Sequence, residues 1–207
     1  FRSVMSNSSA FYFDMTDDKD LENSGLSWSG YVNYKDSWGT EPLDVFANKV
    51  KLKSLGIDEK DLKDKVKLNE NAQSNFLGIQ AQLWTETAAN AYEWDRMLMP
   101  NLIVFAERAW SPKEPWLEES TAELQKPQWN ARWNTFVNTI GQRHLPMLSD
   151  FHAELLYDLP KPGAMIKGNT LHIRQQFPGL EIRFTRDGKT PTLSDEKYST
   201  PVNIQST

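Results

Sequence analysis

The stretch Gly78–Glu86 ends in a tryptophan and a carboxylate two residues apart, Trp84 and Glu86, and predicts a buried strand that runs out into a polar tip. Both side chains would lie on one face, because side chains alternate along an extended chain. An indole can lie against the C–H face of a pyranose, and a carboxylate accepts hydrogen bonds from its hydroxyls. A core tryptophan beside a helix-capping glutamate is the structural alternative, and the spacing alone leaves both open.

A second pair of an aromatic residue and a carboxylate, Tyr12 and Asp14, follows the β-prone segment that begins at Val4. We expect this segment to be a strand that passes into a loop, with Tyr12 and Asp14 on the same side. Taken singly, each pair is equally typical of a packed ring and a turn carboxylate. Two strand ends with the same chemistry indicate that function should be sought at these ends.

Residues 15–39 are rich in Asp, Ser, Asn and Gly without sustained periodicity, which predicts a long loop. Loops of this length are uncommon unless they are functional. The loop contains four large aromatic residues, which a merely flexible segment has little reason to hold: Trp28, Tyr31, Tyr34 and Trp38.

Helical patterns surround and follow the predicted strands. Glu41–Phe46 could open a helix with proline in its first turn, and residues 49–71 predict a partly helical surface insertion. Residues 87–110 predict a helical region whose main helix starts near Pro100. Apolar residues at helical spacing then predict an amphipathic core helix: Trp129, Trp133, Phe136 and Ile140.

The pattern changes at a short Pro/Gly linker, residues 158–163, beyond which apolar residues alternate at strand period. This change predicts two domains, 1–158 and 159–207. Two strand–helix units with polar strand ends are typical of a (β/α)8 barrel, whose sites lie at the C-terminal ends of its strands. We therefore expect an α/β fold that holds part of a TIM barrel, followed by a small antiparallel β domain. Fewer than 50 residues remain for this domain, too few to close an immunoglobulin-like β-sandwich of about 100, so it is either minimal or partial.

Composition excludes several classes of function. The 207-residue chain has a net charge of −5 and a pI near 5.3, without the basic patch of a nucleic-acid-binding protein. No apolar run is long enough to span a membrane. Zero cysteines exclude disulfides and thiolate zinc sites, and the three histidines are too scattered for a metal set or a triad: His144, His152 and His172. We expect neither a metal nor a cofactor.

Several motifs together resemble glycoside hydrolase family 20, the β-N-acetylhexosaminidases. The run Gly78–Glu86, then Met99-Pro100, then Ala106-Glu107-Arg108-Ala109-Trp110-Ser111 resembles the last barrel strand and helix of that family. The segment from Val4 to Asp14 resembles the preceding strand. Gly141-Gln142-Arg143 and the stretch from Leu159 to Ala164 resemble the bacterial chitobiase branch.

The resemblance implies roles for five residues. Trp84 matches the indole that floors the subsite for the terminal N-acetylhexosamine, and Glu86 matches the carboxylate that binds its outer hydroxyls. Tyr12 matches the phenol that donates a hydrogen bond to the acetamido oxygen of the substrate. Asp14 matches a contact to sugar hydroxyls, and Trp28 resembles a chitobiase tryptophan that stacks on the leaving sugar.

The implied reaction is retaining hydrolysis of chitin oligosaccharides in which the substrate's own acetamide is the nucleophile. The family supplies a general-acid Glu and an adjacent Asp from an earlier strand. Asp58-Glu59 and Asp195-Glu196 lie in the surface insertion and in the β domain, not on a strand that precedes the two predicted here, so neither matches this pair. We therefore expect this chain to lack the pair and to be inactive alone. The resemblance also implies a periplasmic, outer-membrane-associated or secreted bacterial protein. A self-sufficient carbohydrate-binding module is the alternative.

Overall fold

Two short parallel strands, β1 (Ser3–Met5) and β2 (Phe76–Ile79), form the sheet of the first compact unit. The computed structural model describes residues 1–19, 23–151 and 156–204, with Phe151 described by its backbone alone. The chain divides into two compact units. The first comprises Phe1–Trp133 and Leu156–Asp158, and the second comprises Asn134–Leu155 and Leu159–Thr207. Parallel pairing resumes past both strands as an isolated bridge between Tyr12 and Gln82.

The predicted strand from Val4 to Asp14 is wrong in its middle, because a single helical turn, α1 (Ser8–Phe11), interrupts it. The side chain of Asn7 caps this turn by accepting a hydrogen bond from the N–H of Ser9 at 3.0 Å. Strand β2 is also shorter than predicted and ends at Ile79. Its residues are half-buried or exposed in this chain, so the expected buried strand is not observed.

Short helices make up much of the rest of the first unit. They are α2 (Tyr34–Trp38), α3 (Lys49–Ser54), α4 (Glu59–Leu62), α5 (Glu70–Gln73), α6 (Ala91–Leu98), α7 (Asn101–Trp110) and a 3-10 turn, Pro115–Glu118. An asparagine side chain caps α2, α3, α5 and α6. The partly helical insertion and the main helix starting after Pro100 are confirmed.

The helix predicted to open at Glu41–Phe46 is wrong. This segment forms turns, in which the N–H of Ala47 donates to the carbonyl of Asp44 at 2.9 Å. The helix starts later, at α3, because Asn48 caps it by accepting from the N–H of Lys51 at 3.0 Å.

The amphipathic core helix is confirmed as α8 (Ala122–Thr139), and the four residues that predicted it are all buried. In the first unit, Trp129 and Trp133 pack on Trp38, with ring centroids 4.8 and 5.4 Å away. A Cβ at Gly39 would stand 2.2 Å from the Trp129 ring, so glycine permits this close approach. Tyr34 and Trp38, predicted in a loop, therefore belong to α2 and the core.

Gln125 of α8 is a fully buried polar residue, with 0% of its surface exposed. Its Nε2 donates to the carbonyls of Ala47 at 2.8 Å and Leu117 at 3.1 Å, and more weakly to that of Glu119 at 3.3 Å. Its Oε1 accepts from the N–H of Lys49 at 2.8 Å. One side chain thus satisfies backbone groups at the start of α3 and around the 3-10 turn, which ties both to α8.

Replacing Gln125 by leucine should therefore lower the free energy of unfolding by about 2–3 kcal/mol, because buried backbone groups lose their partners while the apolar volume is kept. Gln128→Leu is the matched control, since Gln128 is exposed on the same helix. Urea titration followed by tryptophan fluorescence measures both variants. Equal stability of the two would contradict the role assigned to Gln125.

The second unit contains the end of α8, a π-helical turn (Ile140–His144), α9 (Leu145–Phe151) and five short strands. A three-stranded antiparallel sheet has the order β3 (Gly163–Lys167), β4 (Thr170–Arg174), β7 (Val202–Asn203); a second sheet pairs β5 (Arg183–Phe184) with β6 (Glu196–Lys197). A Cβ at Gly141 would stand 2.1 Å from the Pro178 carbonyl oxygen, so the π-helical turn packs closely on the β region. The predicted antiparallel β region is confirmed.

Among the residues that the structure describes, no helix has both the length and the apolar character that crossing a membrane requires.

Candidate functional site

Tyr12 and Trp84 lie where the two parallel segments end, and backbone hydrogen bonds fix their register. The N–H of Gln82 donates to the carbonyl of Phe11 at 3.0 Å, and the N–H of Phe13 donates to the carbonyl of Gln82 at 2.8 Å. This pairing sets the two segments side by side at their carboxyl ends. It brings Tyr12 next to Trp84 although the two are far apart in sequence.

Three aromatic rings form a cluster around Tyr12. The Tyr12 centroid lies 6.4 Å from that of Trp84 at an interplanar angle of 58°, and 6.0 Å from that of Trp28 at 79°. Trp28 and Trp84 keep 66% and 50% of their surfaces exposed. Because both indoles are open to solvent, their faces can receive the apolar side of a sugar ring.

Trp28 lies on a loop, residues 25–32, which we call the Trp28 loop. The N–H of Leu26 donates to the carbonyl of Asp14 at 2.8 Å, and the N–H of Val32 donates to the carbonyl of Thr16 at 3.0 Å. Gly25 has φ +123°, and a Cβ there would stand 2.8 Å from the Asp14 carbonyl oxygen. Both ends of the loop are thus tied to the segment directly after Tyr12.

Asp14 is the least satisfied polar side chain of the cluster. It is 2% exposed, and neither carboxylate oxygen accepts a hydrogen bond of good geometry from any residue in the described ranges. Burial raises the pKa of Asp14 above its ordinary value; the backbone N–H groups of Asp14 and Trp84 oppose this, and the charge of Glu86 adds to it. A buried carboxylate that accepts no hydrogen bond of good geometry is costly, and a ligand hydroxyl would be a suitable donor.

Replacing Asp14 by asparagine should therefore stabilise the ligand-free chain by about 1 kcal/mol near neutral pH, because it removes a buried charge. Because the pKa of Asp14 is higher in the folded than in the unfolded chain, Asp14 lowers the free energy of unfolding at pH values above its unfolded-state pKa. The stability advantage of the variant should therefore vanish in acid, where the carboxyl is protonated in both states. Thermal melts of both proteins from pH 3 to pH 7 measure the difference. A variant less stable than the parent at neutral pH would contradict this reading.

Glu86 is exposed beyond Trp84, and no residue in the part of the chain that the structure describes forms a hydrogen bond or ion pair with its carboxylate. The helix that follows, α6, is capped by Asn90 rather than by Glu86. The structural alternative for the Trp-x-Glu pair, a core tryptophan beside a capping glutamate, is therefore not observed. Glu86 is free to accept hydrogen bonds from a bound molecule.

The Ala-Glu-Arg motif at the end of α7 has a structural role. Arg108 is buried and donates to the carbonyls of Trp38 at 3.5 Å and Ser111 at 3.2 Å. Its Nη1 lies 3.9 Å from Oε2 of Glu41, which is also buried. Burial raises the pKa of Glu41, and Arg108 counteracts that shift. The motif thus joins α7 to α2 and the turn after it.

Two serines approach each other beside the Tyr12 ring cluster, Ser8 on α1 and Ser29 on the Trp28 loop, and the sequence analysis did not predict this contact. No residue pattern links positions so far apart.

The described residues include no cluster of histidine, cysteine or carboxylate groups that could hold a metal ion. His144 and His172 lie on the π-helical turn and β4, and His152 lies outside the described residues.

Open indoles and a free carboxylate at the carboxyl ends of parallel segments are groups that can bind a sugar. Residues 1–113 match the description "Glycosyl hydrolase family 20, catalytic domain", and residues 144–207 match "Chitobiase/beta-hexosaminidase C-terminal domain". The chain belongs to glycosyl hydrolase family 20, as its motifs predicted. The two matches also confirm an α/β fold related to the TIM barrel, followed by a C-terminal domain.

Curated relatives carry hexosaminidase names. The chain is 32% identical over 199 residues to a beta-hexosaminidase of Vibrio vulnificus, covering 87% of this chain and 23% of that protein. It is 28% identical over 196 residues to an N,N'-diacetylchitobiase of Vibrio harveyi, covering 90% and 21%. The chain thus spans about a quarter of the length of the curated relatives that it matches.

Solved structures of the same family are similar at lower identity. A Vibrio harveyi exo-β-N-acetylglucosaminidase in complex with N-acetylglucosamine is 22% identical, with a TM-score of 0.48, over 76% of this chain and 19% of that one. A β-N-acetylhexosaminidase of Streptomyces coelicolor A3(2) gives the same identity and TM-score over 75% and 23%.

Proposed function

We propose that this chain forms one side of the sugar site of a chitobiase-type β-N-acetylhexosaminidase, which removes the terminal non-reducing N-acetylhexosamine from chitin oligosaccharides. The observation that carries the proposal is the cluster at the strand ends. There Tyr12 lies between two open indoles, beside a buried carboxylate without partners and an exposed one. The partner is an N-acetylhexosamine-containing oligosaccharide, and no cofactor is needed.

The five residues take different roles in this proposal. Trp84 forms the floor of the subsite for the terminal sugar, and Glu86 and Asp14 accept hydrogen bonds from its hydroxyls. Tyr12 donates to the acetamido oxygen as that oxygen attacks the anomeric carbon and positive charge spreads over the forming ring. Trp28 stacks on the leaving sugar. Each role requires a group that is open or unpaired, which agrees with the exposure of the indoles and of Glu86.

The chain does not supply the proposed general acid or its neighbouring aspartate. Asp58-Glu59 lies at the start of α4, with the carboxylate of Asp61 accepting from the N–H of Asp58 at 2.9 Å. Asp195-Glu196 lies at β6, in the second unit. Neither pair stands at the ends of β1 and β2, so the acid must come from another part of the intact enzyme.

The proposal extends to the architecture. The chain would provide the last two strand–helix units of a (β/α)8 barrel, residues 1–158, followed by a partial immunoglobulin-like β-sandwich, residues 159–207. The parallel pairing of β1 with β2, with helices after each, supports the barrel assignment. The intact protein would act in the periplasm, at the outer membrane or outside the cell of a bacterium.

Two substitutions in the intact enzyme test the site. Glu86→Gln should lower kcat/KM for N,N'-diacetylchitobiose about 10- to 100-fold, because it keeps the shape but weakens charge-assisted hydrogen bonds. Trp84→Ala should lower activity comparably while changing stability little, because in this proposal the indole faces the sugar and not the core. Steady-state kinetics and thermal melts give both quantities.

Trp129→Ala is the matched control for the tryptophan, because truncating a buried ring costs about 3–5 kcal/mol of stability. If Trp84→Ala were as destabilising as Trp129→Ala and Glu86→Gln were fully active, the strand ends would be structural.

A non-catalytic carbohydrate-binding module is favoured only by the exposed rings of Trp28 and Tyr31 on one loop. It predicts glycan binding by the isolated chain, which isothermal titration with chitooligosaccharides measures.

A further inference from the structure

Trp28 stands on a tight turn. The N–H of Gly30 donates to the carbonyl of Ser27 at 3.0 Å, so Trp28 and Ser29 occupy the two central positions of a β-turn. Gly30 follows with φ +91°, a conformation that favours glycine. The turn fixes the backbone of Trp28 relative to Ser29, so whatever holds Ser29 also holds Trp28.

The hydroxyl of Ser29 lies 2.7 Å from that of Ser8, and either oxygen can be the donor. Both serines are half-buried. Ser8 is the first residue of α1, and Tyr12 follows the last residue of that helical turn. The bond therefore joins the turn that presents Trp28 to the helical turn that presents Tyr12.

Little else restrains the Trp28 side chain. Its ring is 66% exposed, and the ring contact described for it is the edge-to-face approach to Tyr12 at 6.0 Å. A ring with so little buried surface gains little positional restraint from packing. Its placement consequently depends on the backbone of the Trp28 loop, whose two ends are tied to Asp14 and Thr16, and on the Ser8–Ser29 hydrogen bond at its tip.

We propose that Ser8 and Ser29 are positioning residues that hold Trp28 at the distance from Tyr12 required to stack on the sugar beyond the scissile bond. They thereby set the preference for leaving groups that carry a sugar ring. This inference rests on the proposed function and assigns a specificity role to two side chains that do not contact the reacting atoms. A partly exposed hydrogen bond of this kind is worth roughly a two- to tenfold change in binding.

The test compares two substrates in the intact enzyme. Ser8→Ala and Ser29→Ala should each raise KM for N,N'-diacetylchitobiose about two- to tenfold at nearly constant kcat. Hydrolysis of methyl N-acetyl-β-glucosaminide should be unchanged, because its methoxy leaving group has no ring to stack. The double variant should be no worse than either single one, since both remove the same bond. Ser29→Thr, which keeps the hydroxyl, should behave as the parent.

Two further variants isolate the mechanism. Ser27→Ala removes an exposed hydroxyl from the same turn and should leave both substrates unaffected. In a Trp28→Ala background, Ser29→Ala should have no additional effect, because the ring that it positions is gone. Loss of activity on both substrates to the same extent, or a parental KM for chitobiose in both serine variants, would overturn the proposal.

Glu86→Gln separates failure of this inference from failure of the proposed function. If Glu86→Gln lowers activity on both substrates while the serine variants match the parent, the site stands and only the positioning role is wrong. If Glu86→Gln changes neither substrate, the sugar site itself is misplaced.

Discussion

Replacing Tyr12 by phenylalanine in the intact enzyme that we propose is expected to lower kcat about 30- to 1,000-fold, roughly 2–4 kcal/mol, with a much smaller change in KM. The phenol would donate to the acetamido oxygen and hold it in line with the anomeric carbon for ring closure. Because this orientation lowers the barrier of the reaction step more than it strengthens binding of the whole substrate, its loss should affect kcat more than KM. Steady-state kinetics on N,N'-diacetylchitobiose give both parameters.

Tyr31→Phe is the control for Tyr12→Phe, because Tyr31 is an exposed tyrosine just after the Trp28 turn and outside the ring cluster. It should be as active as the parent. If Tyr12→Phe raised KM and left kcat unchanged, Tyr12 would bind the sugar without assisting the reaction, and its role in ring closure would be refuted.

The 207-residue chain by itself should not hydrolyse N,N'-diacetylchitobiose, because in our proposal the general acid is supplied by another part of the intact enzyme. Proton transfer to the leaving oxygen is typically worth about 10²–10⁴ in rate, and a sugar alkoxide is a poor leaving group without it. Product formation measured by chromatography over long incubation is a sufficiently sensitive assay. Aryl substrates are unsuitable, since nitrophenolate departs with little acid assistance.

A cooperative thermal melt of the same sample separates an inactive folded chain from an unfolded one, and the intact enzyme is the positive control. Turnover of chitobiose by the purified chain would mean that another residue acts as the acid. The proposal that the acid lies elsewhere in the intact enzyme would then be wrong.

The parts of the fold that sequence predicted are those with a strong local pattern. The core helix α8 was predictable because Trp129, Trp133 and Phe136 recur at helical spacing and are buried, and the pattern continues to the buried Ile140 of the following π-helical turn. The first strand was overpredicted. Residues after Val4 have β propensity, but the capping side chain of Asn7 satisfies backbone N–H groups in a helical turn, and this local bond prevailed.

The candidate site was likewise predictable only where the sequence carries a local pattern. The pattern of an aromatic residue and a carboxylate at two strand ends directed attention to Tyr12 and Trp84, and the parallel register brings these two together. Their catalytic roles stay predictions. The bond between Ser8 and Ser29 was not predictable, because it depends on how a loop folds back on α1 and no spacing rule connects the two positions.

The two halves of the cluster, at Tyr12 and Gln82, come from segments about 70 residues apart that meet in a parallel bridge. Closing a flexible loop costs entropy that grows only with the logarithm of its length, about 0.6 kcal/mol for each doubling. Removing roughly 20 residues from the insertion after Lys49 would thus change the closure cost by only about 0.3 kcal/mol. The pairing of Tyr12 with Gln82 should therefore tolerate changes in the length of this insertion, as long as Gln125 still holds its first residue.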